Sequence, residues 1–309
     1  MKRPFDRNKI AYLFFILTLF LTVSCSSDDE TTIPVTNEYL SIPDSHFETL
    51  LVEQGIDSDG SVDQQMLRSD AEKVSRLDLN LFSHFGEISD LTGIEGFENI
   101  TFLSAVGQEI EDVDLSFNTK LDTLLLTANY LTSIDLTNNP HLVYVDLQAN
   151  EFSADTSIVG LSNATNLKEL DLSWNYVEDF SMHNGSLEVL HMSNNDLVSI
   201  DTDGAMNLQH VLLTSNKLEM VDFSTNVSLE TVLISDNKLE HIDLENCKSL
   251  THLYSSSNLL ASLDVSHNQE LIDLRVDRNP SLTCIKILST QEIPTVSLSD
   301  YQELNDTCN

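Results

Sequence analysis

The chain has 309 residues and carries 15 Lys and Arg against 50 Asp and Glu, a formal net charge of −35. That balance argues against nucleic acid or anionic lipid as a partner, because phosphate recognition needs a basic footprint. Apolar residues make up 41%, enough for a sizeable core, while nine Gly, six Pro and four Cys exclude collagen-like, Pro-rich and disulfide-scaffold classes.

Lys2, Arg3, Arg7 and Lys9 give a positive start, and an apolar run follows from Ile10 to Val23. The run is shorter than the ~20 residues that a membrane-spanning helix needs. Residues 1–24 therefore read as a removable signal peptide, and they hold four bases and one acid, so the remainder is more acidic still. The segment ends in Leu21-Thr22-Val23-Ser24-Cys25. A small residue followed by Cys resembles the cleavage box of bacterial lipoproteins, although Leu21 lies four residues before the Cys. This implies lipidation at Cys25; the alternative is ordinary cleavage near Ser24 with Cys25 a spare thiol. Residues 25–38 read as a flexible acidic tether, since Ser26-Ser27-Asp28-Asp29-Glu30 and the Thr/Pro stretch after it offer little to bury. An acidic triplet after the lipid-bearing Cys resembles the signal that exposes some lipoproteins on the outer membrane. That implies a surface-exposed protein whose membrane contact is the lipid alone.

Residues 39–73 form a predicted N-terminal helical cap. A helix starts near Asp44, with Ser45 and Glu48 read as a capping box and Phe47, Leu50 and Leu51 on one face. Gly55 ends it. Asp57-Ser58-Asp59-Gly60 reads as a turn that carries only part of a calcium loop.

From residue 74 to 283 the chain repeats. Units begin at Val74, Ile100, Leu121, Leu142, Leu167, Leu187, Leu208, Leu229, Leu250 and Leu271, with spacings of 26, 21, 21, 25, 20, 21, 21, 21 and 21. Each unit reads L-x-x-L-x-L-x-x-N-x-L-x-x-I-D-L-x-x-N, as in Leu121-Asp-Thr-Leu124-Leu-Leu126-Thr-Ala-Asn129. Period-two alternation marks a short strand with one face buried. Twenty-one residues leave no room for a long crossover helix, and no unit has a core of its own, so units must stack. Parallel strands at about 4.8 Å per unit give a curved rod on the order of 45 Å long.

This pattern resembles the leucine-rich-repeat family. The front cap, with Ile88-Ser-Asp-Leu91-Thr-Gly-Ile94, is similar to those of bacterial internalin-like proteins. The resemblance implies an α/β-type solenoid, mostly β. It would be a right-handed curved coil with a parallel sheet on the concave face, a short helical N-terminal cap, and protein recognition, adhesion included, as its role.

Two columns recur. Asn129, Asn150, Asn175, Asn195, Asn216, Asn237, Asn258 and Asn279, with Gln108 in an early unit, sit where the chain leaves the strand. A buried amide there satisfies backbone groups that have lost ladder partners. Asp114, Asp135, Asp201, Asp222, Asp243 and Asp264 form the second column. It reads as a solvated acidic stripe of mutually repelling carboxylates, with Ca2+ bridging along the ladder as the alternative and no other cofactor or metal expected. After Cys284 the period breaks, and 284–309 is expected to be a non-repeating cap closed by a Cys284–Cys308 disulfide across 24 residues. In an exported protein that bridge contributes roughly 3 kcal/mol. Cys247 is expected on the convex side without a partner.

The third, fifth and seventh positions of each unit point outward on the strand side. There Phe102, Leu125 and Tyr144 form one apolar group, and His210, Leu212, Leu233, His252 and Tyr254 form a larger one, with His191 between them. Solvated strands would carry polar residues at these positions, so the face reads as a surface for a protein partner. The same face admits two further readings. One is glycan capture with Phe102, Tyr144 and Tyr254 as stacking platforms. The other is glycoside hydrolysis by Asp146 and Asp171 on adjacent strands, with Glu169 as a third acid; a broad shallow surface lacks the cleft this chemistry needs. No catalytic residue is assigned. The scattered imidazoles make a poor metal site, and no G-x-S-x-G elbow or P-loop occurs.

Overall fold

The computed structural model describes residues 38–80, 86–154 and 157–308. The chain divides into Met1–Thr36 and Asn37–Asn309, and only the second unit falls within the described part. The predicted leader, Cys25 and the tether as far as Asn37 lie outside the described residues, as do residues 81–85 of the long first unit.

Each unit spends its third to fifth positions on a three-residue strand. Eleven of these pair in one sheet: Arg76–Asp78, Phe102–Ser104, Thr123–Leu125, Tyr144–Asp146, Glu169–Asp171, Val189–His191, His210–Leu212, Thr231–Leu233, His252–Tyr254, Asp273–Arg275 and Thr295–Ser297. All pairings are parallel and in register, so Tyr144 faces Glu169 and Leu212 faces Leu233. The central residue of nearly every strand, such as Leu124, Val145, Leu170 and Val232, is fully buried, as is most of the leucine two positions on. The opposite side of the coil holds only short parallel fragments, such as Ile134–Asp135 with Ile158–Val159 and Asp179–Ser181 with Ser199–Asp201. Hydrogen-bonded spacing is therefore continuous on one side only, which bends the stack toward the sheet.

From Phe102–Ser104 to Asp273–Arg275 the chain leaves each strand of the sheet through a left-handed residue at the eighth position, from Gly107 (φ 68°) and Ala128 (57°) to Ser257 (55°) and Arg278 (56°). The asparagine after it links coils. Asn129 donates from Nδ2 to the carbonyls of Ala105 and Leu126 at 2.8 and 3.0 Å, and its Oδ1 accepts from the Ile110 amide at 3.2 Å. The other columns repeat this pattern, and Gln108 performs it in the early unit through Leu79, Glu87 and Ile88. A second, inner ladder runs along the convex side. Asn118, Asn139, Asn184, Asn226 and Asn268 each donate to two carbonyls of the preceding coil. Cys247 occupies this ladder rather than an isolated spot: its Sγ lies 3.9 Å from the carbonyls of Phe223 and Asn226. Burial, with the Asp243 charge, pushes this thiol up to about 11.

The front cap differs from expectation in its capping. The N-cap of helix Ser45–Glu53 is Asp44, whose Oδ1 accepts from the His46 and Phe47 amides at 2.9 and 3.1 Å. Its Oδ2 accepts from the Ser89 and Asp90 amides, fastening the helix to the first coil. Glu48 is not part of a capping box. It is fully buried and accepts from the amides of Asp63, Gln64 and Gln65. The cap is also not purely helical, since Tyr39–Ser41 pairs antiparallel with Gln65–Leu67. This strand pair lies so close to the first coil that a Cβ on Gly96 would sit 2.1 Å from Leu40 Cδ1.

At the back, Cys284 and Cys308 are disulfide-bonded. The tail is not non-repeating, however. Thr295–Ser297 adds a strand to the main sheet, Cys284–Lys286 and Glu303–Asn305 extend the convex fragments, and Gln302 donates to the Val276 carbonyl as the ladder asparagines do.

Candidate functional site: the outward face of the sheet

The strand pleat presents the third and fifth residues of each unit on the concave face. The predicted contact residues all sit there, on seven of the eleven strands: Phe102, Leu125, Tyr144, His191, His210, Leu212, Leu233, His252 and Tyr254. Each is half-buried rather than freely exposed, because neighbours in register on both sides shield its flanks.

Three zones differ in chemistry. At the front, the Arg76 guanidinium lies 3.3 Å from the centroid of the Phe102 ring. At the back, Arg275 lies 4.1 Å from the Tyr254 ring centroid and donates from Nε and Nη2 to Asp273 at 3.2 and 2.9 Å. The Tyr254 hydroxyl donates to the same carboxylate at 2.7 Å, which raises the phenol's pKa, and His252 meets that ring edge-on. The Arg275 guanidinium holds the Asp273 carboxyl below the usual range despite burial. Between the ends, Leu212 and Leu233 lie in register beside His210 and Thr231.

The centre is acidic. Tyr144 faces Glu169, and Asp146 faces Asp171 on the adjacent strand. Asp146 Oδ1 accepts from the Gln148 amide at 3.0 Å and Asp171 Oδ1 from the Ser173 amide at 2.7 Å. His191 Nε2 approaches Glu169 Oε1 at 3.6 Å. Burial, followed by the charges of Asp146, Glu169 and Asp171, pushes the Tyr144 phenol up to about 12.

The second Asp column has a structural task beyond solvation. Asp114, Asp135, Asp201, Asp222, Asp243 and Asp264 each accept, through Oδ1, the amide two residues on, at 2.8 to 2.9 Å. The column locks the convex turn of each coil.

The strand-side reading missed exposed aromatics just beyond the strands. Trp174 is 61% exposed, Tyr176 59% and Tyr130 49%. They stand at the eighth and tenth positions, where most other coils carry small, polar or charged residues. The single Trp of the chain at a left-handed position (φ 59°) was the available signal.

No family model matches the chain. Lumican from Bos taurus is 33% identical over 156 residues, which cover 41% of this chain and 45% of lumican, so the match spans less than half of that protein's length. Among solved structures, internalin C2 from Listeria monocytogenes superposes with a TM-score of 0.54 at 19% identity, over 85% of this chain and 99% of that one. A chain of the octameric complex of Latrophilin 3, Unc5D and FLRT2, in which FLRT2 provides the leucine-rich repeat, superposes with a TM-score of 0.55 at 17% identity, over 76% and 71%. The fold is the leucine-rich-repeat solenoid. At these identities the structural likeness carries the fold and nothing finer.

Proposed function

We propose that this leucine-rich-repeat solenoid is a non-catalytic protein-binding scaffold that recognises its partner with the concave face. The observation that carries the reading is the run of apolar, aromatic and imidazole side chains at outward positions of in-register strands, centred on Leu212 and Leu233. A sheet face serving only solubility would not concentrate apolar groups there. The FLRT2 complex, in which a protein of this fold is assembled with protein partners, is consistent with this role. With it go the sequence-based proposals: export, lipidation at Cys25, and display on the bacterial outer membrane for adhesion or as an interaction scaffold.

The test compares the purified chain with a Leu212→Ser, Leu233→Ser variant for capture of partners from envelope extracts of the native cells. We expect a protein retained by the parent and lost by the variant at unchanged melting temperature. Equal retention by both refutes the assignment of the face.

Glycan capture has less support. Two of its three stacking platforms, Phe102 and Tyr254, already carry an arginine over the ring. A sugar would have to displace both guanidinium groups. The paired carboxylates Asp146 and Asp171 each hold a backbone amide of their own turn, a positional role that accounts for them without hydrolysis.

A further inference from the structure

We propose that the middle of the concave face, at Tyr144, Asp146, Glu169 and Asp171, receives an arginine side chain of the protein partner; this rests on the reading of the face as a protein-binding surface. The molecule supplies the pattern itself. At both ends of the face an aromatic ring is matched by a guanidinium from the adjoining strand, Arg76 over Phe102 and Arg275 over Tyr254. At the back, Asp273 completes the group by accepting from both Arg275 and the Tyr254 hydroxyl. The centre has the ring and the carboxylates but no guanidinium.

Charge and register argue the same way. From Phe102–Ser104 to His252–Tyr254, the outward strand positions hold no Lys or Arg. The nearby Lys168 is paired with Glu188, and His191 reaches Glu169 only at 3.6 Å. Asp146 and Asp171 stand at the same register on adjacent strands, where like charges repel. Each commits Oδ1 to its own turn. A planar guanidinium can bridge two carboxylates and stack on a phenol ring, which an ammonium cannot do as well. The Tyr144 phenol is raised first by burial and then by the charges of Asp146, Glu169 and Asp171, whose sign attracts a cation.

The experiment titrates the full chain with acetyl-triarginine amide, with the trilysine peptide, and with the tricitrulline peptide, which keeps the shape but not the charge. Binding is followed by calorimetry and by the fluorescence of Trp174, the single tryptophan, three residues beyond Asp171. The variant is Asp146→Asn, Glu169→Gln, Asp171→Asn, whose amide oxygens can still accept the turn amides. The control neutralises three exposed acids outside the strands of the concave sheet, Glu111→Gln, Glu240→Gln and Glu245→Gln. We expect triarginine to bind about tenfold more tightly than tricitrulline, and the central variant alone to lose that advantage. Trilysine should fall between the two, and Tyr144→Leu should weaken triarginine binding where Tyr144→Phe does not. Unchanged binding by the central variant, or an equal loss in the control, overturns the proposal. The Leu212→Ser, Leu233→Ser capture result decides the protein-binding reading separately. Should partner capture depend on those leucines but not on the three acids, the face binds protein by another chemistry and the arginine site is wrong.

Discussion

The residue that sustains this fold is the ladder asparagine. Each one donates to a carbonyl of its own coil and one of the coil before, and neighbouring asparagines share these carbonyls, as Asn129 and Asn150 share that of Leu126. Asn150 shows the arrangement: Nδ2 donates to Leu126 and Leu147 carbonyls at 2.9 and 3.0 Å, and Oδ1 accepts from the Leu131 amide at 3.0 Å. Asn150→Ala would leave the buried Leu131 amide without its acceptor and strip the Leu126 and Leu147 carbonyls of one of their two amide donors, Asn129 and Asn175 keeping the other, at a cost of about 3 kcal/mol. Urea unfolding should show a lowered midpoint of that size, whereas Asn246→Ala on the exposed convex surface should change little. The outer ladder was fully legible, because its spacing follows the repeat and its chemistry follows from an amide's donors and acceptor. The place of Cys247 was not read out, although it falls at the last Asn of the repeat motif. A thiol there replaces an amide donor with a weaker one.

At the scale of the element, local patterns succeeded where a unit repeats and failed where a contact is long-range. Ser45-His46-Phe47-Glu48 satisfies a capping-box pattern, yet Asp44 caps the helix because its second oxygen also accepts from Ser89 and Asp90. No window along the chain contains that contact. Burial alone would raise the Asp44 carboxyl; the amides of Ser89, Phe47, Asp90 and His46 hold it below the usual range. The Asp turns of the convex side were visible as a column but not as turn locks. Ser116, Thr137 and Ser224 hold Asp114, Asp135 and Asp222 below the usual range. At Asp264, burial opposes Ser266 and Lys286, which win and bring the carboxyl to about 2 from 3.8. A folded pKa below the unfolded one stabilises above the unfolded value and is lost as pH falls through the folded value. The melting temperature should therefore hold steady above pH ~5 and drop between pH ~4 and ~2. Asp264→Asn should blunt that drop. A melting temperature that rises over the same interval contradicts the turn-lock account.

Across the whole molecule, the in-register stack turns a one-dimensional repeat into a two-dimensional surface. Its columns are chemically graded: arginine-covered rings at each end, carboxylates in the middle, and leucine with histidine between the middle and the back. The columns were readable in the sequence as third and fifth positions. Extending the third-position column one unit forward would have placed Arg76 beside Phe102, since register aligns them. The last coil was also within reach. Ile293-Pro-Thr-Val296-Ser-Leu298 keeps the strand spacing 22 residues after Leu271, but Pro294 and a Gln in place of the Asn disguised it. The half-buried state of the outward side chains was not legible, because it depends on how closely neighbouring strands approach.

Contact by the concave face is open to direct measurement through site-specific photo-crosslinking in the native cells. A photoreactive side chain at Thr231, between His210 and His252 in register on the concave sheet, should give a discrete adduct with a partner protein. The same group at Asn246, exposed on the convex side, should give none. An adduct from Asn246 with none from Thr231 would contradict recognition by the concave face.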